Sequence, residues 1–509
     1  MAVRPIYYAA AFTAGLALLG CSPGEPDAAG PASEAGEAVS VQSAEGALAL
    51  FGLDEPGRVS WESRSQDGAV FTFEAVTITD PDGGLSAERL VIDAPQETDE
   101  GPVFARFELS GASAAESSGD LVATFDRLLI AEAGPEVGEA VAAALTGREA
   151  LFDAADPAAG RFGEMRIEGL SVTGTSETGA PLDLSVATAM AAGHDGRTIE
   201  TLSLEQLSLV TADDAGAPVT ISLGGASARG VAAALAGLAE TDAASAAPLA
   251  GALTPNNQYD SFSLSELDVR ASGVHVVMPG LSGVTEAAGE DRVISRTVME
   301  RLTLSADAEA GPQGAELARS LDQLGYEALN FSLENTVAYD LAADRVETIE
   351  ENYLRLEDGF TLRFEQVARG AGAYADAYAA WLEAGGAPGE TPPAEVFEPL
   401  MIERMVFALD DQSLLDRSLG ALAEMQGVTP EQLRVQAGAY VALGAAFAGD
   451  MIPPQLLSEL QGALTGFIGQ GGTLSVTMAP SEPVSMSTLM QQNSADADTL
   501  GLTVTHEAP

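Results

Sequence analysis

The segment that decides the fold class is Leu202-Ser-Leu204-Glu-Gln-Leu207-Ser-Leu209, in which apolar side chains occupy positions 1, 3, 6 and 8. Within each half, apolar and polar residues alternate, which is the pattern of a strand with one dry and one wet face. Between the halves the parity changes, so either a bulge or bend at the central pair absorbs the change or the strand turns from one sheet face to another. The pattern recurs at residues 71–78, 165–172 and 262–269, at intervals too irregular for a solenoid or propeller.

Further strand-like runs surround these segments and are separated by turn sequences, which favours antiparallel hairpins. The predicted strands are residues 69–79, 85–92, 103–109, 121–130, 272–278, 329–339, 353–356 and 360–366. Four short Ala-rich stretches predict helices that pack on the sheet: residues 135–146, 231–239, 313–324 and 371–382. The predicted fold class is therefore α+β, with an extended antiparallel sheet as the body and short packing helices.

The C-terminal part of the sequence predicts a separate α+β subdomain. A Gly- and Pro-rich linker is expected at 385–399, between a β-rich body at 43–384 and a helical subdomain at 400–509 that a strand closes. Within this subdomain, Thr429-Pro430 followed by Gln432 forms a capping box, which predicts a helix start. The apolar run at 437–449 is too short to span a bilayer, so we interpret it as a core helix.

Composition excludes several classes of function. The chain carries 76 acidic and 23 basic residues, a formal charge of −53, which excludes nucleic-acid binding through counterion release. All the basic residues are arginine, so lysine-dependent sites such as Walker-A loops, kinase active sites and pyridoxal phosphate sites are excluded as well. With a single cysteine there is no disulfide and no multi-cysteine metal site. We expect no cofactor and no metal.

The remaining candidate residues have ordinary structural interpretations. His194, His275 and His506 are too far apart in sequence to form a ligand pair, and His194 is interpreted as a turn residue. The sequence Asp80-Pro-Asp82-Gly83 begins like a calcium loop, but its twelfth position holds Val91 instead of glutamate, so we expect a hairpin turn. A glycosidase needs two carboxylates, which the acidic pairs Asp410-Asp411 and Glu350-Glu351 could supply in principle, but such pairs arise by chance among 76 acidic residues. Asp410-Asp411 precedes a helix and is expected to cap it. The chain is therefore predicted to be non-enzymatic, with an unrecognised hydrolase as the alternative.

The N-terminus has the features of an export signal. Arg4 precedes an apolar run at 6–19, which ends at Gly20-Cys21, and Cys21 is the single cysteine of the chain. The sequence Leu18-Leu19-Gly20-Cys21 resembles the lipobox of bacterial lipoproteins. That resemblance implies a signal peptide at 1–20, lipidation of Cys21 and a membrane anchor. Because Ser22 follows the cysteine, it further implies the outer membrane. Residues 21–42 are expected to form a flexible tether.

The body and the C-terminal block resemble envelope proteins. The four segments with the eight-residue pattern, which follow an export signal, are similar to the strand-rich bodies of AsmA-like proteins. The block at about 400–490 is similar to uncharacterised exported proteobacterial proteins through Asp411-x-Ser413-Leu414-x-x-Arg417 and Gly472-x-Leu474-x-Val476. These resemblances imply a periplasmic body that binds lipid or an apolar envelope partner through an amphipathic sheet. The alternative is a structural or assembly lipoprotein without a ligand.

Overall fold

A computed structural model describes most of the chain as two compact units. The described residues are 40–80, 83–116, 120–148, 160–175, 179–196, 198–213, 216–232, 259–289, 291–383, 392–448, 453–490 and 499–509. Unit 1 consists of Met1–Glu240 and Gln258–Ala271, and unit 2 consists of Thr241–Asn257 and Ser272–Pro509. The described residues are mainly antiparallel strands with eight α-helices, so the predicted α+β class with an extended sheet is confirmed.

Unit 1 is an antiparallel sheet with two helices. Its strands are β1 (Val59–Ser60), β2 (Ser63–Asp67), β3 (Val70–Asp80), β4 (Gly83–Asp93), β5 (Gln96–Thr98), β6 (Gly101–Glu116), β7 (Leu121–Ala133), β8 (Phe162–Thr175), β9 (Pro181–His194), β10 (Thr198–Ala212), β11 (Pro218–Ala232) and β12 (Ser261–Ala271). The helices are α1 (Val41–Ala47) and α2 (Pro135–Thr146), and a 3₁₀ turn (Leu48–Phe51) follows α1. Neighbours in the sheet are β3-β4-β6-β7-β8-β9-β10-β11-β12, with β1 and β2 on β3 and β5 on β6.

The four predicted segments lie in β3, β8, β10 and β12, and a left-handed residue absorbs the parity change in each. These residues are Ala75, Gly169, Gln206 and Glu266, with φ from 52° to 64°. The apolar residues on both sides of Ala75 join one core cluster, so they lie on the same face of the sheet. The prediction of a bulge or bend is therefore confirmed, and the alternative of a strand that changes face is wrong.

We call the left-handed position of a strand, together with the residue opposite it in the neighbouring strand, a break. Because the breaks lie at matching positions across the sheet, the apolar side chains of the strands align in rows. One row passes through successive partners in nine strands: Phe73, Leu90, Leu109, Leu128, Ile167, Ala189, Leu204, Ala226 and Leu264. We call this face of the unit 1 sheet the apolar floor. The 3₁₀ turn and α2 bury their apolar side chains, including Phe51, Val141 and Leu145, in the same cluster as the floor of β3 to β8.

At two of the breaks, a left-handed glycine in one strand lies beneath a carboxylate side chain of the neighbouring strand. A Cβ added to Gly169 would lie 2.2 Å from Asp126 Oδ2, and one added to Gly111 would lie 2.7 Å from the Glu88 side chain. Both glycines have a positive φ, which costs an L-residue about 1–2 kcal/mol. The Asp126 and Glu88 side chains therefore lie over glycines, which have no Cβ to clash with them.

Unit 2 is also an antiparallel sheet, with six helices. Its strands are β13 (Val274–Ala287), β14 (Arg292–Ala306), β15 (Leu329–Asp340), β16 (Arg345–Thr348), β17 (Tyr353–Leu356), β18 (Phe360–Arg369), β19 (Met401–Asp411), β20 (Gly472–Met478), β21 (Val484–Ser485) and β22 (Leu502–Glu507). The helices are α3 (Pro312–Leu324), α4 (Ala371–Glu383), α5 (Leu414–Gln426), α6 (Pro430–Ala448), α7 (Pro454–Gln470) and α8 (Met486–Met490), with a 3₁₀ turn at Ala394–Phe397. The sheet runs β13-β14-β15, then β16 and β17, then β18-β19-β20-β22, and β21 pairs with β19.

Local signals placed several helices of unit 2 correctly. The Thr429 N–H donates to Gln432 Oε1 at 2.9 Å and the Gln432 N–H donates to Thr429 Oγ1 at 3.3 Å, so the predicted capping box forms at the start of α6. The helices predicted at 313–324 and 371–382 correspond to α3 and α4. The predicted division of the chain at 385–399 stays a prediction, since 384–391 lie outside the described residues and β18 pairs with β19 on either side of them.

Three sequence interpretations differ from the structure. The segment 437–449 was expected to be a core helix, but Tyr440 is 71% exposed and Leu443 is 53% exposed on α6. The helix packs against both α5, through Leu433, and α7, where Arg434 donates to the Ile468 carbonyl oxygen at 2.9 Å, and small residues carry much of the apolar character of 437–449. At the helix predicted for 231–239, Val231 and Ala232 end β11 and the rest lies outside the described residues. His194 is not a turn residue, because it ends β9 and is 3% exposed.

In the described part of the chain, no helix is both long and apolar enough to span a bilayer.

Candidate apolar binding site

An apolar cavity of about 100 Å³ lies between the floor of unit 1 and α2. The floor contributes side chains from β3, β4, β6, β7 and β8, and α2 contributes Val141, Ala144 and Leu145. The lining residues of the floor are Ile78, Gly84, Leu85, Phe107, Leu109, Ala114, Phe125, Leu128 and Ile167. Dry cavities with apolar walls remain open to apolar ligands, and about 150 Å³ is enough for benzene. A cavity of about 100 Å³ therefore accepts roughly four carbon atoms of an apolar chain.

Small side chains leave this space open. In β6 the apolar pattern is Phe107-x-Leu109-x-x-Ala112-x-Ala114, so alanines replace the large residues in its second half. Ala114 faces α2 at a point where that helix also presents an alanine, Ala144. Because neither residue reaches across, the floor and the helix enclose unfilled volume.

Arg58 and Asp80 are the charged residues in the cavity lining. The Arg58 guanidinium forms an ion pair with the Asp80 carboxylate, and the two side chains are 25% and 20% exposed. The carbonyl of Arg58 also accepts a hydrogen bond of 3.0 Å from the Thr79 N–H, which aligns the segment with the end of β3. The guanidinium covers Gly147, where an added Cβ would lie 2.6 Å from Arg58 Nη1. Since Gly147 caps the C-terminus of α2, the cation also faces the negative end of the helix dipole.

The opposite face of the sheet is polar and carries an ionic network. Glu108 alternates with Phe107 and Leu109 of the cavity, and it is 7% exposed. Burial opposes ionisation of Glu108, but the hydrogen bond of 3.0 Å from Arg127 and the charges of Arg127 and Arg106 outweigh it and lower the pKa of Glu108. Arg127 also approaches Glu168 of β8. The network joins β6, β7 and β8 on the wet face while their apolar side chains line the cavity.

The candidate residues identified in the sequence do not come together in one site. Cys21 lies outside the described residues, as do Pro81 and Asp82 of the predicted hairpin turn, although the flanking Asp80 and Gly83 pair as β3 meets β4. Val91, the twelfth position of the calcium-loop match, lies within β4. In unit 1, His194 packs against Phe162 at 5.2 Å between ring centroids, and its Nδ1 lies 3.1 Å from the Thr198 carbonyl oxygen.

The acidic pairs of unit 2 have structural partners. Asp411 Oδ1 accepts a hydrogen bond of 2.9 Å from the Leu415 N–H in the first turn of α5, so the predicted capping role is confirmed for this residue. Burial raises the pKa of Asp411, and the bond from Leu415 opposes that rise. Asp410 accepts a bond from Thr473, and Glu351 pairs with Arg363 at 2.6 Å. His506 Nε2 lies 2.7 Å from the Gly471 carbonyl oxygen. Within the described residues, no group of three or more histidines, cysteines or carboxylates is arranged to hold a metal.

Sequence reasoning missed Arg58 and the cavity. Arg58 lies in the irregular Gly57-Arg58-Val59 segment, where no periodic pattern marks it. The alanines at 112 and 114 were a usable signal, because they occupy strand positions that other strands fill with Leu, Ile or Val. Their contribution depends on Ala144 of α2, which is 30 positions away from Ala114. Only the folded arrangement brings these small residues together.

Comparison with known proteins concerns unit 2 alone. A family model described as "Uncharacterized protein" matches residues 353–507, from the first residue of β17 to the last residue of β22. All residues that line the cavity lie outside this match. No curated protein matches the chain.

Proposed function

We propose that the chain is a non-enzymatic envelope lipoprotein that binds lipid or another apolar ligand between the apolar floor and α2 of unit 1. The supporting observation is the unfilled apolar cavity, which continues along rows of apolar residues. Buried apolar area contributes about 25 cal/mol per Å², so an acyl chain gains free energy by leaving water for these rows. The ligand enters beside Arg58 and Asp80, whose side chains remain partly exposed.

A filled cavity tests ligand binding. Ala144→Phe places a ring in the cavity, whereas Ala140→Phe adds the same ring one turn earlier on α2, at a residue that does not line it. We expect organic extracts of the wild-type protein and of Ala140→Phe, purified from native membranes, to contain a stoichiometric apolar compound by mass spectrometry. Extracts of Ala144→Phe should lack it. An empty wild-type extract, or equal amounts from both variants, contradicts the proposal.

The proposal includes the location of the protein. Cleavage before Cys21 and lipidation of its thiol anchor the chain in the outer membrane, the segment from Cys21 to the start of α1 at Val41 tethers it, and the body lies in the periplasm. Several acyl chains bind a bilayer almost irreversibly, at about 0.8 kcal/mol for each buried methylene. We expect metabolic labelling with palmitate to label the wild-type chain but not Cys21→Ser, and fractionation to release Cys21→Ser from membranes. An unlabelled, soluble wild-type product contradicts this part of the proposal.

A second candidate function is structural or assembly work without a ligand. It is favoured by exposed apolar side chains on the two helices that follow β19 in unit 2. Met425 on α5 is 70% exposed, and Val435 and Tyr440 on α6 are 74% and 71% exposed. We refer to these three residues together as the helical patch, which names a set of exposed side chains on two helices and not one continuous surface. In this candidate, residues 400–509 form the predicted C-terminal subdomain and the patch contacts an envelope protein.

A further inference from the structure

The positive charge at the cavity mouth is already compensated. Arg58 contributes one positive charge, Asp80 contributes one negative charge, and the C-terminus of α2 at Gly147 adds roughly −0.5 charge. The whole chain carries a formal charge of −53, so the surrounding field is also negative. An anionic headgroup that entered here would meet no uncompensated cation and would lose its hydration. Transfer of an unpaired charge into an apolar site is far more costly than transfer of a neutral polar group.

The Arg58 guanidinium retains donors for a ligand. Arg58 Nη2 donates to Asp80, and this is the one hydrogen bond of the side chain among the described residues. A guanidinium carries five N–H donors and no acceptor, so the partly exposed Arg58 side chain can also donate to an acceptor atom that enters the mouth. Arg58 Nε is buried, so the donor to the ligand is a terminal nitrogen. Hydrogen bonds from a charged donor are stronger than those between neutral groups, so a ligand that supplies the acceptor gains affinity.

We propose that the cavity selects an uncharged acyl compound whose ester or similar carbonyl oxygen accepts a hydrogen bond from Arg58. This inference rests on the proposed binding function and adds the class of headgroup to it. The acyl chain lies against Leu85, Leu109 and Leu128 of the floor, and the carbonyl oxygen lies at the mouth beside Arg58. Asp80 holds the guanidinium in place and keeps its net charge compensated, so Arg58 acts as a hydrogen-bond donor to the ligand and not as a counterion.

Two isomeric probes separate these roles. Methyl pentanoate and hexanoate have the same carbon and oxygen content, but at pH 7 the first is neutral and the second is ionised. Hexane supplies a chain of similar length without an acceptor. With the full chain and calorimetric or ligand-detected NMR titration, we expect methyl pentanoate to bind at least tenfold more tightly than hexanoate. It should also bind more tightly than hexane beyond the difference in their transfer from water to an apolar solvent.

Variants of Arg58 test the hydrogen bond directly. Arg58→Met should lower the affinity for methyl pentanoate about tenfold, which corresponds to about 1.4 kcal/mol, and leave the affinity for hexane unchanged. Arg148→Met is the matched control, because Arg148 directly follows Gly147 at the C-terminus of α2 but pairs with Glu139 and does not line the cavity. The double variant Arg58→Met with Asp80→Asn avoids an uncompensated carboxylate and should show the same loss if the single variant folds poorly.

The outcomes distinguish this inference from the proposed function. Tighter binding of hexanoate than of methyl pentanoate overturns the neutral-headgroup inference but leaves apolar binding intact. Equal affinity of the wild type and both folded Arg58 variants for methyl pentanoate also overturns the inference. If none of the three probes binds, hexane included, the binding function itself is contradicted.

Discussion

Units 1 and 2 both carry continuous apolar rows across antiparallel strands. Packed helices cover these rows to different extents in the two units. In unit 1 the cluster beneath α2 includes Phe71, which is fully buried. In unit 2 an equivalent row crosses β15, β17, β18, β19 and β20 through Leu333, Leu354, Leu362, Leu409 and Leu474. However, Phe407, two residues before Leu409 on β19, is 41% exposed, and the buried residues of unit 2 form three smaller clusters. The strand pattern therefore decides which side chains share a face, and the placement of helices decides whether that face leaves water.

The largest expected effect comes from truncation of one phenylalanine in each unit. Phe71→Ala removes a fully buried ring and should lower the free energy of unfolding of unit 1 by about 3–5 kcal/mol. Phe407→Ala should cost unit 2 about 1 kcal/mol or less, because its ring already contacts water. The chain has two tryptophans, Trp61 in unit 1 and Trp381 in unit 2, so single-tryptophan variants report urea unfolding of each unit separately. Equal losses would contradict the contrast in coverage.

The strands of unit 1 show how far the sequence could predict this fold. Four segments with Leu, Ile, Val, Met or Phe at the apolar positions were recognisable. Strand pairing places the same spacing in β9 and β11, where residues such as Ala189, Ala226 and Ala228 occupy those positions. Alanine favours helix over strand in isolated segments, so these strands were not predicted. They form because neighbouring strands supply the pairing, which is information that lies outside each segment.

The candidate site was less predictable than the fold. Periodicity reports where large apolar side chains recur, whereas the cavity exists because Ala114 and Ala144 are small. The left-handed positions were partly predictable, since the parity change marked the central pair. The sequence did not show which residue of the pair adopts the left-handed conformation, because alanine, glutamine and glutamate occur there as well as glycine.

A second prediction separates backbone strain from crowding at these breaks. Gly68 lies in the turn between β2 and β3 and Gly169 lies at the break in β8, and their φ angles are 60° and 64°. An added Cβ meets no atom within 4 Å at Gly68 but meets the Asp126 carboxylate at Gly169. Gly68→Ala should therefore cost about 1–2 kcal/mol through strain alone. Gly169→Ala should cost at least 1 kcal/mol more, with about that much recovered when Asp126→Gly is added. Urea unfolding followed by Trp61 measures all three variants, and equal costs for both alanines would show that the carboxylate does not crowd the break.

A third prediction concerns the wet face of unit 1. Because the pKa of Glu108 is lower in the folded state than its ordinary value, its ionised form stabilises unit 1 above the unfolded-state pKa near 4.5. This stabilisation is lost as the pH falls through the lower folded-state pKa. Glu108→Gln should thus cost about 1–3 kcal/mol at pH 7, and the cost should shrink below about pH 4. The exposed Glu97→Gln serves as control and should show a small effect at every pH. A cost that is independent of pH would mean that packing, and not charge, accounts for the loss.

The smallest expected effect on stability lies in the helical patch of unit 2. Replacement of Met425, Val435 and Tyr440 by serine should change the free energy of unfolding, followed by Trp381, by less than about 0.5 kcal/mol for each site, because water already surrounds these side chains. If the patch contacts an envelope protein, the triple variant should lose crosslinks that the wild-type chain forms in whole cells, while it retains the compound bound in unit 1. A large loss of stability would instead mean that the patch is buried against the chain itself. Unchanged crosslinks would contradict the assembly function of the helical patch. The apolar cavity of unit 1, which other residues form, would then be the feature that supports a function.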